Sequence, residues 1–232
     1  STSTATSFST RSTSSRETSF SHASTIRSKH IDSYSRRWIA IDVVTGNTRW
    51  TFLGDGPIQT GNAASTNGDM FYLIQQNGTV HAVDQHGIQR WIFKANNKIA
   101  GSVLEGVDGL LRIVTQDRVY ALYRNGDLAW QINTGQLIRS SSPVLDSEGF
   151  LYIAGSQDLL AYDTEGHLRL RVPLDENITG GLTLDETGRL YLLGVTGRLR
   201  AFQSLGGTLP QTGWPKFLGN MKNWGSMGDN ES

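Results

Sequence analysis

Five histidines and no cysteine leave the chain without disulfides, thiolate metal sites or cysteine nucleophiles. Any metal chemistry would therefore fall to histidine and carboxylate. His81 and His86 stand five residues apart, across a strand and the turn after it, so their rings need not converge, and no third ligand follows nearby. The pair reads as two exposed surface histidines. Ser140-Ser141-Ser142 lacks the G-x-S-x-G elbow that activates a serine. Asp146-Ser147-Glu148-Gly149 and Asp185-Glu186-Thr187-Gly188 look faintly like calcium loops, but lack the acidic spacing and distal Glu of an EF-hand. Both read as turns. Asp42, Asp84 and Asp163 recur once per repeat unit, which suits a turn cap better than a catalyst. Arg169, Arg171, Arg198 and Arg200 alternate along two strand-like segments. They could form a stripe for an acidic partner, although a solvated strand face is the plainer reading. Asn77, Asn177 and Asn230 begin N-x-S/T sequons. None of these residues earns a catalytic, cofactor-binding or metal-ligating assignment.

Composition bounds the function classes further. The 232 residues carry 21 Lys+Arg against 21 Asp+Glu, so no field of one sign draws the chain to nucleic acid or anionic lipid. Mean hydropathy is -0.33, and no run reaches the roughly 18 apolar residues of a membrane helix. Residues 1–36 hold 13 Ser and 7 Thr with few large apolar side chains. Such a segment is expected to stay disordered as a linker or stalk, because it cannot bury enough surface to offset its ordering entropy. Residues 37–217 carry the β-rich texture, and 218–232 form a tail. With no leader before Ser1, the chain is expected to be a piece of something longer or to have been processed.

The elements that must position any site come from a repeat. Small residues in apolar strands recur at Ala40, Ala82, Ala121, Ala161 and Ala201. Turn glycines follow at Gly46, Gly87, Gly126 and Gly166, then Trp50, Trp91 and Trp130, with Leu170 in the fourth copy. A second glycine series runs Gly68, Gly109, Gly149 and Gly188. The steps all fall near 40 residues, which identifies a repeat architecture. Asn67-Gly68, Asn77-Gly78, Asp108-Gly109 and Asn125-Gly126 predict tight hairpins with both central residues at positive φ. In one unit the strands are expected at 141–146, 150–155, 158–163 and 168–172. Four short strands per repeat, joined up-and-down, predict an all-β propeller of four-stranded antiparallel blades. About four complete blades, near 61–93, 100–132, 141–172 and 179–217, follow one extra hairpin at 38–52. The surplus hairpin points to a piece of a larger ring of seven or eight blades, with a closed four- or five-bladed ring as the competing arrangement. An open arc would expose apolar blade faces and invite self-association.

The segment Ala40 to Trp50 reads A-x-D-x-x-T-G-x-x-x-W and resembles the tryptophan-docking motif of pyrroloquinoline-quinone (PQQ)-like repeat propellers. Ala82-Val83-Asp84 with Gly87 and Trp91 is a copy one residue shorter. Ala121 to Trp130 is another with Tyr123 in place of Asp, and Ala161-Tyr162-Asp163 with Gly166 lacks the Trp. Phe71-Tyr72-Leu73 and Leu151-Tyr152-Ile153 match the family's inner-strand pattern, and Gly213 to Asn220 resembles a segment seen beside such repeats. The family includes quinoprotein dehydrogenases that bind PQQ and calcium, and an outer-membrane assembly lipoprotein that works as a scaffold. No calcium-ligating Glu, Asn and Asp set maps onto this sequence. The resemblance therefore implies a non-catalytic scaffold for a protein or other ligand, without cofactor, nucleic acid or membrane insertion, in a periplasmic, cell-surface or secreted setting. A fragment of a PQQ-dependent alcohol or sugar dehydrogenase is the alternative.

Overall fold

The structure is a computed structural model that describes residues 24–26, 36–42, 44–59, 61–138, 142–156, 158–178 and 181–210. The chain runs through successive antiparallel sheets in sequence order. The first holds β1 (Ser24–Ile26), β2 (Arg37–Asp42) and β3 (Thr48–Leu53). Blade I follows with β4 (Ala63–Ala64), β5 (Met70–Ile74), β6 (Thr79–Asp84) and β7 (Gln89–Lys94). Blade II comprises β8 (Leu104–Glu105), β9 (Leu111–Val114), β10 (Arg118–Leu122) and β11 (Leu128–Asn133). Blade III comprises β12 (Val144–Leu145), β13 (Leu151–Ala154), β14 (Asp158–Tyr162) and β15 (Leu168–Pro173). Blade IV shows β16 (Thr183–Leu184), β17 (Arg189–Leu193) and β18 (Leu199–Gln203). The expected all-β meander is therefore present, with a shorter innermost strand than the repeat alone predicted. The fourth strand expected near Trp214, the tail 218–232, and most of the first 36 residues lie outside the described residues. Within that first segment, Ser24–Ile26 pairs antiparallel with β2, from Ser24 opposite Asp42 to Ile26 opposite Ala40.

One irregularity repeats in every complete outer pair. The register shifts just after Ala40, Ala82, Ala121 and Ala161, so the strand bulges and its twist tightens. The turn glycines correct one expectation. Gly126 N–H donates to the Tyr123 carbonyl, and Gly68, Gly78 and Gly109 repeat that i to i+3 bond with Ser65, Gln75 and Gly106. Each glycine is thus the residue after the two central ones, at φ 93°, 70°, 85° and 75°. These are three-residue loops closed by a left-handed glycine, not two-residue turns with both centres at positive φ.

The core lies between blades. Ala40, Trp38 and Trp50 pack with blade I, and that cluster continues through Ile113 and Leu122 into blade II. Leu104, Ile138, Leu151 and Leu160 join blades II and III, while Tyr152, Ala161, Leu184 and Leu192 join III and IV. Strand β6 is buried along its whole length because both its faces meet another sheet. At the inner edge, small residues in the connections before each first strand touch in series. A Cβ on Gly61 would lie 2.2 Å from the Gly101 carbonyl oxygen, one on Gly101 3.1 Å from Pro143, and one on Gly181 3.1 Å from Ser142.

Candidate functional site

The residues with the most chemical potential gather at the seams between blades, on the end where the 1–2 and 3–4 strand turns emerge. Trp50 donates its indole N–H to the Gln85 carbonyl of the next sheet at 3.0 Å. Trp91 does the same to Arg124 and Trp130 to Thr164, both at 2.9 Å. Each ring lies on a turn glycine of that next sheet. A Cβ on Gly87, Gly126 or Gly166 would lie 2.7, 2.8 or 3.0 Å from the covering indole. Glycine at these turns serves both the positive φ and the ring that sits on it. The outer-strand Trp therefore packs blade on blade as the repeat predicted.

The blade III/IV seam, which has Leu170 in place of Trp, closes differently. Asp146 accepts the Glu148 and Phe150 N–H groups of its own turn at 3.0 and 2.9 Å. Its second oxygen takes the Tyr152 hydroxyl at 2.8 Å and Gly206 N–H at 3.0 Å. Tyr152 in turn accepts Leu205 N–H at 2.6 Å. Burial pushes the Tyr152 phenol far above its ordinary value, so it stays protonated and keeps donating. The equivalent position in blade I is Tyr72, whose phenol burial also raises. In blade II it is Arg112, fully buried, forked onto Asp108 at 2.5 Å and standing 5.9 Å above the Trp130 ring. This phenol-or-guanidinium series along the second strands was not singled out from sequence as functional. Its signal was an acidic residue four positions before Arg112 and six before Tyr152; Tyr72 has none at that spacing.

The single residues weighed from sequence fall out plainly. Asp42, Asp84 and Asp163 are turn caps. Asp84 Oδ1 accepts the His86 and Ile88 N–H groups at 2.8 and 3.0 Å while Oδ2 takes Arg90 at 2.6 Å. Asp42 likewise accepts Val44 and Thr45 N–H, and the Arg49 guanidinium beside it holds its carboxyl well below the ordinary range. Asp185 caps its turn through Arg189 and Thr187 N–H, and those bonds lower its carboxyl to about 2. His81 departs from expectation. It is 4% exposed, not a surface group. Its ring lies 5.1 Å from Phe52 and 6.2 Å from Trp38, with Nδ1 2.7 Å from Gln89 and Nε2 unpartnered. His86 is exposed and the structure does not bring the two rings to one site. The four arginines do not form a free stripe. Arg169 pairs with Asp163 at 2.7 Å, Arg171 with Asp158 at 2.9 Å, Arg198 with Asp175 at 3.0 Å, and Arg200 with Asp175 and Glu176. Ser142 packs against Gly181, while Ser140 and Ser141 lie outside the described residues, as does Asn230.

Among the described residues, no group of three or more His, Asp or Glu is arranged to hold a metal ion. The groups among the described residues that could have met PQQ are engaged elsewhere. The carboxylates that recur are occupied by turn N–H groups and arginines, and the three outer-strand indoles are each seated on a turn glycine.

Among solved structures, the chain resembles the crystal structure of BamB from Moraxella catarrhalis, with a TM-score of 0.60 over 84% of this chain. The chain folds as BamB does. Identity to BamB is 19%, and the chain spans 60% of that structure's length. No family model and no curated protein matches the chain. The BamB likeness concerns the propeller architecture: four-stranded antiparallel sheets that follow one another in sequence, with further sheets at both ends.

Proposed function

We propose that this chain is a non-catalytic scaffold, an arc of a larger PQQ-like repeat propeller that binds a protein partner in a periplasmic, cell-surface or secreted setting. The observation that carries the reading is the use of its polar residues. Asp42, Asp84, Asp163 and Asp185 each hold their own turn, and Asp146 holds its turn and the neighbouring blade. Carboxylates engaged in this way build blades. The turn end meanwhile presents exposed apolar side chains on the first sheet and blades I, II and IV: Val44, Ile88, Val107, Tyr123 and Leu205. Exposed apolar groups on loops carried by a rigid frame suit recognition of another protein. The two end sheets add further apolar exposure at Leu53, Leu193 and Leu199, which favours association of this segment with itself or with other blades. Among the described residues no helix is long and apolar enough to cross a membrane.

The test is to add PQQ and calcium and follow dye-linked oxidation of alcohols and aldoses. The scaffold reading expects no turnover above a no-protein control. Sustained turnover would replace it with a dehydrogenase fragment.

A further inference from the structure

The zero net charge of the chain is a sum of two unlike ends. The 1–2 and 3–4 turns, residues 42–49, 65–70, 84–90, 105–112, 123–128, 146–150, 163–169, 185–189 and 203–208, carry twelve Asp or Glu against six Arg. The other described residues carry five Asp or Glu against eight Lys or Arg, along the strands and at the opposite end. Five of the six turn arginines already pair with carboxylates of the same turns. Glu148, Glu165 and Glu186 are exposed, and none of them pairs with a Lys or Arg among the described residues. The three fall in one patch with two exposed apolar side chains, Val107 at 52% and Leu205 at 46%. A Cβ on Gly149 would lie 2.8 Å from Thr164 and 3.9 Å from Val107, so turns of blades II and III meet around Glu148 and Glu165. One on Gly206, next to Leu205, would lie 2.6 Å from Glu148 Cβ. Ser147 N–H donates to the Thr208 carbonyl at 2.8 Å and Leu209 N–H to that of Asp185 at 3.3 Å, which brings the Glu186 turn to the same place.

We infer that the turn patch of blades II to IV docks a basic, amphipathic segment of a partner protein, in which Lys or Arg is interleaved with apolar residues. Charge complementarity selects that occupant. An acidic segment would be repelled by Glu148, Glu165 and Glu186, and a wholly apolar one would cover them without giving them partners. The excess of carboxylates over the whole end extends the attraction beyond the patch itself. Its frame is set in advance, because Asp146 and Tyr152 hold the Leu205 turn through Gly206 and Leu205 N–H at 3.0 and 2.6 Å. A patch already held in place has little left to order when it binds. This rests on the scaffold reading and names the chemistry of its partner. Turnover with PQQ would remove that reading, whereas a probe that fails to bind a chain without turnover would remove this inference alone.

The experiment uses the full chain, 15N-labelled, titrated with a synthetic peptide of about twelve residues that interleaves Lys with Leu. Two further peptides carry Glu in place of Lys, or Ser in place of Leu. The expected result is saturable movement of the Val107, Glu148, Glu165 and Glu186 amide signals with the Lys/Leu peptide alone. Replacing three exposed charges together, in E148Q/E165Q/E186Q, should weaken binding about tenfold, and Glu186→Gln alone about twofold. V107S/L205S, which keeps the charges, should weaken it as well, whereas Asp55→Asn at the opposite end should leave it unchanged. Equal binding by the Lys/Ser peptide would reduce the effect to bare counter-charge and overturn the inference. So would binding indifferent to the glutamate variants, or signals that move at the opposite end instead. Movement of the patch signals in the probe-free R11Q/R16Q/R27Q chain would show the surface filled from within and overturn it. Concentration-dependent dimerisation abolished by E148Q/E165Q/E186Q would assign the patch to a second copy and overturn it too.

Discussion

At the scale of single residues, the carboxylates that recur are held as anions by the turns they close. Burial alone would raise the Asp163 carboxyl. The N–H groups of His167 and Glu165 and the Arg169 guanidinium override it and set the group at about 2, against an ordinary 3.8. A folded-state value below the unfolded one gives stability that is complete above about pH 4 and is lost as the pH falls towards about 2. Urea midpoints taken from pH 5.5 down to pH 2 should therefore fall across that window, and Asp163→Asn should flatten part of the fall. A slope unchanged by the substitution would mean that other groups carry it. His81 shows where residue-level reading stopped. The alternation in Thr79-Val80-His81-Ala82 implies one wet face, but β6 is covered on both sides, so the ring ends against Phe52 and Trp38.

At the scale of elements, the seams depend on one large side chain per outer strand. Trp50→Phe keeps most of the ring and loses the N–H to Gln85, so it should destabilise by about 1 kcal/mol. Trp50→Ala removes the ring as well and should lose about 3–5 kcal/mol. Chemical denaturation of the two variants beside the parent chain measures the difference, and equal losses would mean that the hydrogen bond contributes everything. The strands, their order and these seams were legible because Ala, Gly and Trp return at fixed phase, each for a steric reason. The blade III/IV seam was not. Its contacts run from backbone N–H groups of Leu205 and Gly206 to Tyr152 and Asp146, more than 50 residues away, and a backbone donor leaves no mark on residue type. Arg112 was hidden for a related reason. Its position reads as a strand interruption until Asp108 and the Trp130 face are seen around it.

At the scale of the whole molecule, the cores among the described residues join neighbouring sheets, so stability should be distributed as in other linear repeats. The two middle strands of each of blades I to III are buried almost throughout, whereas β2, β3, β17 and β18 mix buried or half-buried residues with exposed ones. Amide hydrogen exchange should be slowest in β5, β6, β9, β10, β13 and β14 and faster in β2, β3, β17 and β18. Uniform protection would instead indicate that the ends are joined into one cooperative ring.

The inner series Gly61, Gly101, Ser142 and Gly181 has a geometric consequence. With a glycine at each inner contact and an indole spacing the sheets at the rim, each blade is a wedge, thin inside and thick outside. The angle of that wedge, set by the difference between a missing Cβ and a tryptophan, is what bends the stack. Curvature is thus written in side-chain volume, and where Leu170 stands in place of Trp the rim spacer is smaller and a backbone loop makes up the width.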